Sequence, residues 1–159
     1  MASKKGVALT VVIAAAIIGS SFLIWYIPQS NTGAFLDAPR TDGEVIGDVY
    51  ARHNDLAADI DAGFEQWKNE DPAAGDMAAQ LESAETQVGE MRQQLDNRQP
   101  EQEWQESYDI YVQALDAYAA YLSALEQKVE DGDRTDPDPG LAREWQGLVD
   151  ESVGAMPIN

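Results

Sequence analysis

The sequence predicts an all-α protein: one N-terminal transmembrane helix followed by an antiparallel bundle of three to four helices outside the membrane. Three observations support this prediction. The run Gly6–Ile27 contains no charged residue. Beyond Thr41, apolar residues recur at steps of three and four, which is the helical period. No stretch of useful length alternates apolar and polar residues as a half-buried strand does.

The uncharged run Gly6–Ile27 is long enough to cross a membrane as a helix. Its 22 residues would span about 33 Å, close to the roughly 30 Å thickness of a hydrocarbon core. Basic residues precede it, which places the N-terminus in the cytoplasm, and the aromatic pair at its end suits the outer interface of the membrane. We therefore expect a single-pass cell-membrane protein, with membrane lipid around residues 6–27 and the bulk of the chain extracytoplasmic. The anchor residues that flank or end the span are Lys4, Lys5, Trp25 and Tyr26.

Two alternatives for the leader stay open. A cleaved secretory signal would use the apolar stretch Val7–Ile18 with the small residues Gly19–Ser21 as its processing site. A prepilin-type signal would be cut after Gly6, because a Lys-Lys-Gly sequence followed by a long apolar stretch is typical of such leaders. Each alternative would change the mature N-terminus of the protein.

The residues that follow the apolar stretch form a recognisable pattern. Trp25, Ile27, Pro28 and Gln29 follow a Lys-Lys start and an apolar stretch. In these features the N-terminus resembles small, uncharacterised single-pass proteins of ammonia-oxidising archaea. The resemblance covers residues 1–29 and implies a membrane location, with no residue-level activity.

The charge of the chain is strongly negative and unevenly placed. The net charge is −19, from 29 acidic and 10 basic residues. Every acidic residue lies at or beyond Asp37, whereas Lys4 and Lys5 precede the span. Such a field repels nucleic acid and attracts cations and basic partners. No cysteine is present, which excludes a disulfide framework, a thiolate metal site and a cysteine nucleophile.

Local signals divide the remaining chain. We expect a cytoplasmic stub at 1–5, the span at 6–27, a linker at 28–40, an acidic bundle at 41–155 and a loose tail at 156–159. Thr41 and Glu44 have the spacing of a capping box, so the first bundle helix should begin there and end near Asn69. Pro residues after an acidic or turn residue suit helix starts. The later helices should therefore begin at Pro72, Pro100 and Pro139, with Gly132 ending the third.

The apolar stripes predict how these helices pack. The first helix repeats apolar positions from Ile46 to Trp67, with His53 on the stripe, and the second from Ala74 to Leu95. The third carries the strongest stripe, from Trp104 to Val129. Because the connections are short, with two residues between the second and third helices, the first three helices should run up-down-up. The fourth should pack across or alongside them.

Aromatic residues on the third and fourth helices form the first candidate site. Tyr111 and Tyr118 share one heptad position, which favours packing inside the bundle with hydroxyls at its rim. The alternative is an aromatic groove for a ligand or a partner helix. We expect Trp104, Tyr121 and Trp145 to supply surface left over after core packing. The candidate groove residues are Trp104, Tyr108, Tyr111, Tyr118, Tyr121 and Trp145.

The acidic loop after the third helix is the second candidate. A calcium loop needs alternating oxygen ligands, a central glycine and a distal glutamate. Here Asp136 stands where glycine should be and Ala142 where glutamate should be. We therefore predict an acidic turn that caps helices, and no metal or cofactor. The weak calcium candidates are Asp131, Asp133, Asp136 and Asp138.

These observations favour a structural or protein-interaction role, as an accessory subunit of a membrane or envelope assembly. A ligand-binding or sensory helical module is the alternative, and a pilin-like filament subunit is a lesser one. No enzyme is predicted, because the one histidine, His53, has no Glu-x-x-His partner motif and no nucleophile or phosphate-loop motif is present.

Overall fold

The computed structural model of the chain describes residues 40–70 and 76–157. The predicted span, its flanking anchor residues and almost all of the linker lie outside these described residues. The described part is all-α and belongs to one compact unit, Arg40–Asn159. It contains four helices and no strand: α1 Asp42–Lys68, α2 Met77–Asp96, α3 Gln105–Asp131 and α4 Pro139–Gly154. Within this part of the chain, no helix combines the length and apolarity needed to cross a membrane.

The helices alternate in direction as an up-down-up-down bundle. Near the start of α1, Asp42 bonds Arg98, just beyond the end of α2, and farther along Arg52 bonds Gln94. An antiparallel pairing also joins α2 to α3, where Arg92 contacts Asp116. Consecutive helices approach closely along their backbones. The prediction of an antiparallel helical bundle is confirmed, and α4 completes it as a fourth member.

The α4 helix lies antiparallel to α3 and contributes to the same core. Ser152 Oγ, near the end of α4, donates a 2.7 Å hydrogen bond to the carbonyl of Ser107, near the start of α3. Both serines are fully buried. Trp145, farther back along α4, contacts the ring of Tyr118 in the middle of α3. The buried apolar residues of α3 are Tyr108, Tyr111, Ala114, Leu115, Tyr118, Tyr121, Leu122 and Leu125.

Three helix ends agree with the local signals. Thr41 Oγ1 accepts from Glu44 N–H at 3.3 Å, and the Glu44 carboxylate accepts from Thr41 N–H at 2.8 Å, which is the complete capping box. Gly132 ends α3 with φ at +67°, a left-handed conformation that favours glycine. Asp138 caps α4 by accepting from Gly140 N–H at 2.8 Å.

One predicted helix start is wrong, and another lies outside the described residues. The described helix α2 has Asp76 as its N-cap, which accepts from Ala79 N–H at 3.2 Å, whereas the predicted cap Asp71 and start Pro72 are outside the described residues. The predicted start of α3 is wrong, because α3 begins at Gln105 rather than at Pro100. The connection from α2 runs through Asn97–Trp104 and is longer than the two residues predicted. Its Glu101 N–H is held 2.8 Å from Asp42 Oδ2, a tertiary contact that local patterns do not show.

Candidate functional site

Aromatic rings from three helices meet in the interior of the bundle. His53 of α1, Tyr118 of α3 and Trp145 of α4 contact one another pairwise. The centroid of the His53 ring lies 4.6 Å from that of Tyr118 and 5.3 Å from that of Trp145. The Tyr118 and Trp145 centroids are 5.0 Å apart. Tyr111, one heptad before Tyr118, adds an edge contact with His53 at 5.9 Å. We call these four residues the aromatic cluster.

The helical period explains why these residues converge. His53 lies seven residues after Ile46 and seven before Ile60, and all three are buried on the same face of α1. Tyr111 and Tyr118 are likewise seven apart on α3. Trp145 and Val149, four apart on α4, form its buried side together with Ser152. The cluster is therefore the level of the bundle at which rings from the buried faces of α1, α3 and α4 meet.

His53 is neutral in this environment and has one polar partner. Its Nδ1 atom lies 3.1 Å from Tyr111 Oη, and both side chains are fully buried. Burial penalises the charged imidazolium and lowers the pKa of His53 to about 4. At neutral pH the ring carries one N–H donor and one acceptor nitrogen. Burial also raises the pKa of Tyr111, so its hydroxyl keeps its proton.

Three polar atoms of the cluster have no hydrogen-bond partner among the residues that the structure describes: His53 Nε2, Tyr118 Oη and Trp145 Nε1. Native proteins pair most buried polar atoms, so each exception calls for an explanation. These three come from three different helices and from rings that are in mutual contact. Every buried side-chain nitrogen or oxygen that lacks a partner in residues 40–70 and 76–157 therefore belongs to this cluster.

The remaining predicted aromatic residues have separate surroundings. Tyr121 Oη lies 3.1 Å from Asp61 Oδ1, and its ring stacks on Tyr118. Tyr108 Oη donates to the carbonyl of Asp42 at 2.9 Å, and burial raises the pKa of Tyr108 to about 12. Trp104 precedes α3, is half-buried and packs against the core.

The structure brings Tyr111, Tyr118 and Trp145 together with His53 in the core. It places Trp104 and Tyr108 at the end of the bundle where α1 begins. The expectation that Tyr121 and Trp145 supply leftover surface is wrong, because each is only 6% exposed. Their rings are needed to fill the space between helices. A groove for a partner or ligand on these residues stays a prediction.

The four carboxylates of the acidic loop each have a separate position or partner. Asp133 accepts from Lys128 Nζ at 2.7 Å and from Thr135 N–H at 3.0 Å, and these bonds, the lysine first, lower its pKa to about 2. Asp136 pairs with Lys68. Asp138 caps α4, and Asp131 is the last residue of α3. Across residues 40–70 and 76–157, no three histidine, cysteine or acidic side chains are grouped to hold a metal ion.

Asp42 is a polar residue whose importance sequence reasoning missed. Its carboxylate accepts from Arg98 Nε at 2.7 Å and from Glu101 N–H at 2.8 Å. Partial burial alone would raise its pKa, but the hydrogen bonds from Glu101 and Arg98 outweigh burial and lower it. Asp42 thus ties the start of α1 to the connection between α2 and α3. Asp42 is an acidic residue in the first turn of a helix, next to the capping-box residue Thr41. Nothing in that local pattern indicates its long-range role.

The basic side chains of the bundle are mostly engaged by its own carboxylates. Arg134 also packs its guanidinium 4.8 Å from the centroid of the Trp67 ring. Lys128 and Lys68 tie the acidic loop to the ends of α3 and α1. The residues in ion pairs with Asp or Glu are Arg40, Arg52, Lys68, Arg92, Arg98, Lys128 and Arg134.

Comparison with known proteins finds no match for this chain among protein-family models, curated proteins or solved structures.

Proposed function

We propose that this protein is a membrane-anchored, extracytoplasmic helical protein with a structural or protein-interaction role, an accessory subunit of a membrane or envelope assembly. Residues 6–27 would hold it in the membrane, and residues 41–155 would present the acidic bundle to a partner. The partner is a protein with a basic face, because the bundle offers carboxylates outward.

One observation supports this proposal. The aromatic rings pack in the core and most basic side chains form ion pairs within the domain, whereas many acidic side chains are exposed. The large rings of α3 and α4 are buried, and most of the basic residues are in ion pairs within the domain. Carboxylates remain on the outer face of every helix. Exposed examples that belong to none of the ion pairs are Asp55 and Asp59 on α1, Glu82 and Glu90 on α2, Glu106 and Asp109 on α3, and Glu144 and Asp150 on α4.

Such a surface recruits a partner through long-range attraction. A net negative field raises the encounter rate with a cationic surface and repels other anions. The basic side chains offset only part of the acidic charge, because the chain has 29 acidic and 10 basic residues, and the surplus carboxylates set the field beyond the domain. Salt screens exposed charges over roughly 8 Å at physiological ionic strength, so binding should weaken as salt rises.

Crosslinking of the full chain in native membranes, followed by mass spectrometry, tests the proposal. We expect crosslinks from the bundle to one basic membrane or envelope protein, and co-purification of that protein in mild detergent. Co-purification should fall in the variant Glu82→Gln/Glu90→Gln. A matched variant, Gln93→Ala, changes an exposed polar residue of the same helix without changing charge and should leave co-purification intact. Recovery of the chain only as a free monomer, with no specific crosslink, would contradict the proposal.

A ligand-binding or sensory module is the second candidate. The observation that favours it is the group of unpaired polar atoms in the aromatic cluster. Under this alternative, purified protein should retain a small molecule in the interior of the bundle, independently of any partner protein.

A further inference from the structure

The aromatic cluster contains three buried polar atoms that its own side chains do not satisfy. His53 and Tyr118 are fully buried, and Trp145 is 6% exposed. His53 Nε2, Tyr118 Oη and Trp145 Nε1 have no hydrogen-bond partner in the described part of the chain. Leaving a buried donor or acceptor unsatisfied costs about 1–3 kcal/mol. Three such atoms in one cluster would cost a large share of the stability of a small domain.

The contacts among the rings place the three side chains that carry these atoms at one level of the bundle. The three ring centroids are separated by 4.6, 5.0 and 5.3 Å. Each ring comes from a different helix, so the three side chains lie where α1, α3 and α4 meet. We infer that His53 Nε2, Tyr118 Oη and Trp145 Nε1 form a buried polar site that binds one neutral oxygen, supplied by a water molecule or by the hydroxyl or carbonyl group of a small uncharged solute.

The chemistry of the three atoms selects this class of occupant. Trp145 Nε1–H is a donor only, so the occupant must supply a lone pair and cannot be a cation. Tyr118 Oη both donates and accepts. When His53 Nδ1 accepts from Tyr111, Nε2 carries the proton and becomes a second donor. An oxygen with two lone pairs accepts from both N–H groups, and a water or hydroxyl can also donate to Tyr118.

A charged occupant does not fit these surroundings. An anion in the interior would need a compensating positive charge. His53 is neutral, and Arg92, Arg98 and Lys128 are engaged with carboxylates away from the cluster. A buried water typically makes about three hydrogen bonds to otherwise unsatisfied groups, which is the number of atoms available here.

Whether Tyr118→Phe is less or more stable than the natural protein tests the site. Tyr118→Phe removes Oη and keeps the ring. If the hydroxyl binds an occupant, the variant should raise the unfolding equilibrium constant about fivefold, as the loss of a typical hydrogen bond does. If the hydroxyl is unsatisfied, removing it relieves a desolvation cost, and the variant becomes more stable than the natural protein. Tyr121→Phe, on the same helix, is the comparison variant, because its hydroxyl has a hydrogen-bond partner of its own in Asp61.

A second measurement on the full chain identifies the occupant. In ¹⁵N-edited NMR, the Trp145 indole proton, assigned by its absence in Trp145→Phe, should show a direct cross-relaxation peak to water if water is bound. If a solute is bound, mass spectrometry of the supernatant from denatured protein should find it near one per chain, and Tyr118→Phe should reduce the amount. The inference is overturned if Tyr118→Phe equals or exceeds the natural protein in stability, or if neither measurement detects an occupant.

Discussion

His53 Nδ1 of α1 lies 3.1 Å from Tyr111 Oη of α3, and both side chains are fully buried. The two residues are 58 positions apart in the chain. This bond uses one of the two ring nitrogens and leaves Nε2 facing the interior. It links α1 to α3, two helices of the same direction in the bundle. Burying a charged imidazolium would cost free energy, so the ring must stay neutral. The stability of the core around this bond therefore depends on pH.

We predict that acid destabilises the protein through His53. The pKa of His53 is about 4 in the folded state and about 6.5 when unfolded. The lower folded value means that the unfolded chain binds the proton first. Stability is therefore full above pH 6.5 and falls as pH drops toward 4, where the loss reaches about 3 kcal/mol.

Urea unfolding of the full chain at several pH values measures this loss. His53→Phe should be less stable at pH 7, because it loses the bond to Tyr111, but its stability should change less between pH 7 and 4. Subtracting the stability-versus-pH curve of His53→Phe from that of the natural protein cancels the contribution of the many carboxylates, which both proteins share. Parallel curves would show that His53 does not carry the pH dependence. NMR of the imidazole gives the pKa directly, because the chain has one histidine.

We also predict loss of stability at alkaline pH. Burial raises the pKa of Tyr108 to about 12 and moves those of Tyr111, Tyr118 and Tyr121 upward as well. Since each phenol is held neutral in the fold, the unfolded state loses protons first, and stability falls as pH rises above about 10. Absorbance at 295 nm should show these tyrosines ionising together with loss of helical circular dichroism. Ionisation of all tyrosines near pH 10 without unfolding would contradict their burial.

Asp42→Asn should destabilise the protein far more than Asp48→Asn. Asp42 accepts from both Arg98 and Glu101 N–H, and an amide NH₂ in place of one oxygen would meet a donor. We expect a loss of about 2 kcal/mol in the free energy of unfolding. Asp48 forms exposed ion pairs with Arg52 at 3.2 Å and with Arg40 at 3.8 Å, which contribute about 1 kcal/mol or less.

Chemical denaturation of the two variants at pH 7 measures this difference. The lowered pKa of Asp42 gives a second test. The stability it adds is present above pH 4 and disappears as the carboxylate is protonated, so the gap between the natural protein and Asp42→Asn should shrink in acid. Equal losses in both variants at pH 7 would show that Asp42 does not hold the connection between α2 and α3.

The features that were predictable from sequence are those that neighbouring residues determine. The capping box at Thr41 and Glu44, the left-handed Gly132 and the apolar stripe through Tyr111 and Tyr118 depend on spacing within one helix. The start of α3 was not predictable in this way, because Asp42 holds Glu101 from 59 residues away. The same is true of the candidate site: a stripe shows that His53 faces inward, but only packing shows which rings it meets.

Two glycines of α1 should respond oppositely to the same substitution. A Cβ at Gly43 would lie 2.9 Å from Cη2 of the Trp104 indole, whereas a Cβ at Gly47 would have no neighbour within 4 Å. Gly47→Ala should raise the free energy of unfolding by about 0.5–1 kcal/mol, because alanine favours the helix. Gly43→Ala should lower it by about 1 kcal/mol, since a rigid ring must shift.

The double variant Gly43→Ala/Trp104→Leu isolates this contact. Leucine lacks the distal ring carbons that the new methyl group would meet, so Gly43→Ala should cost less in the Trp104→Leu background than in the natural one. The coupling free energy, from thermal or urea unfolding of the four proteins, should be about 1 kcal/mol. A coupling near zero would show that Trp104 does not pack over the first turn of α1. If Gly43→Ala stabilises as much as Gly47→Ala, the half-buried ring moves aside without cost.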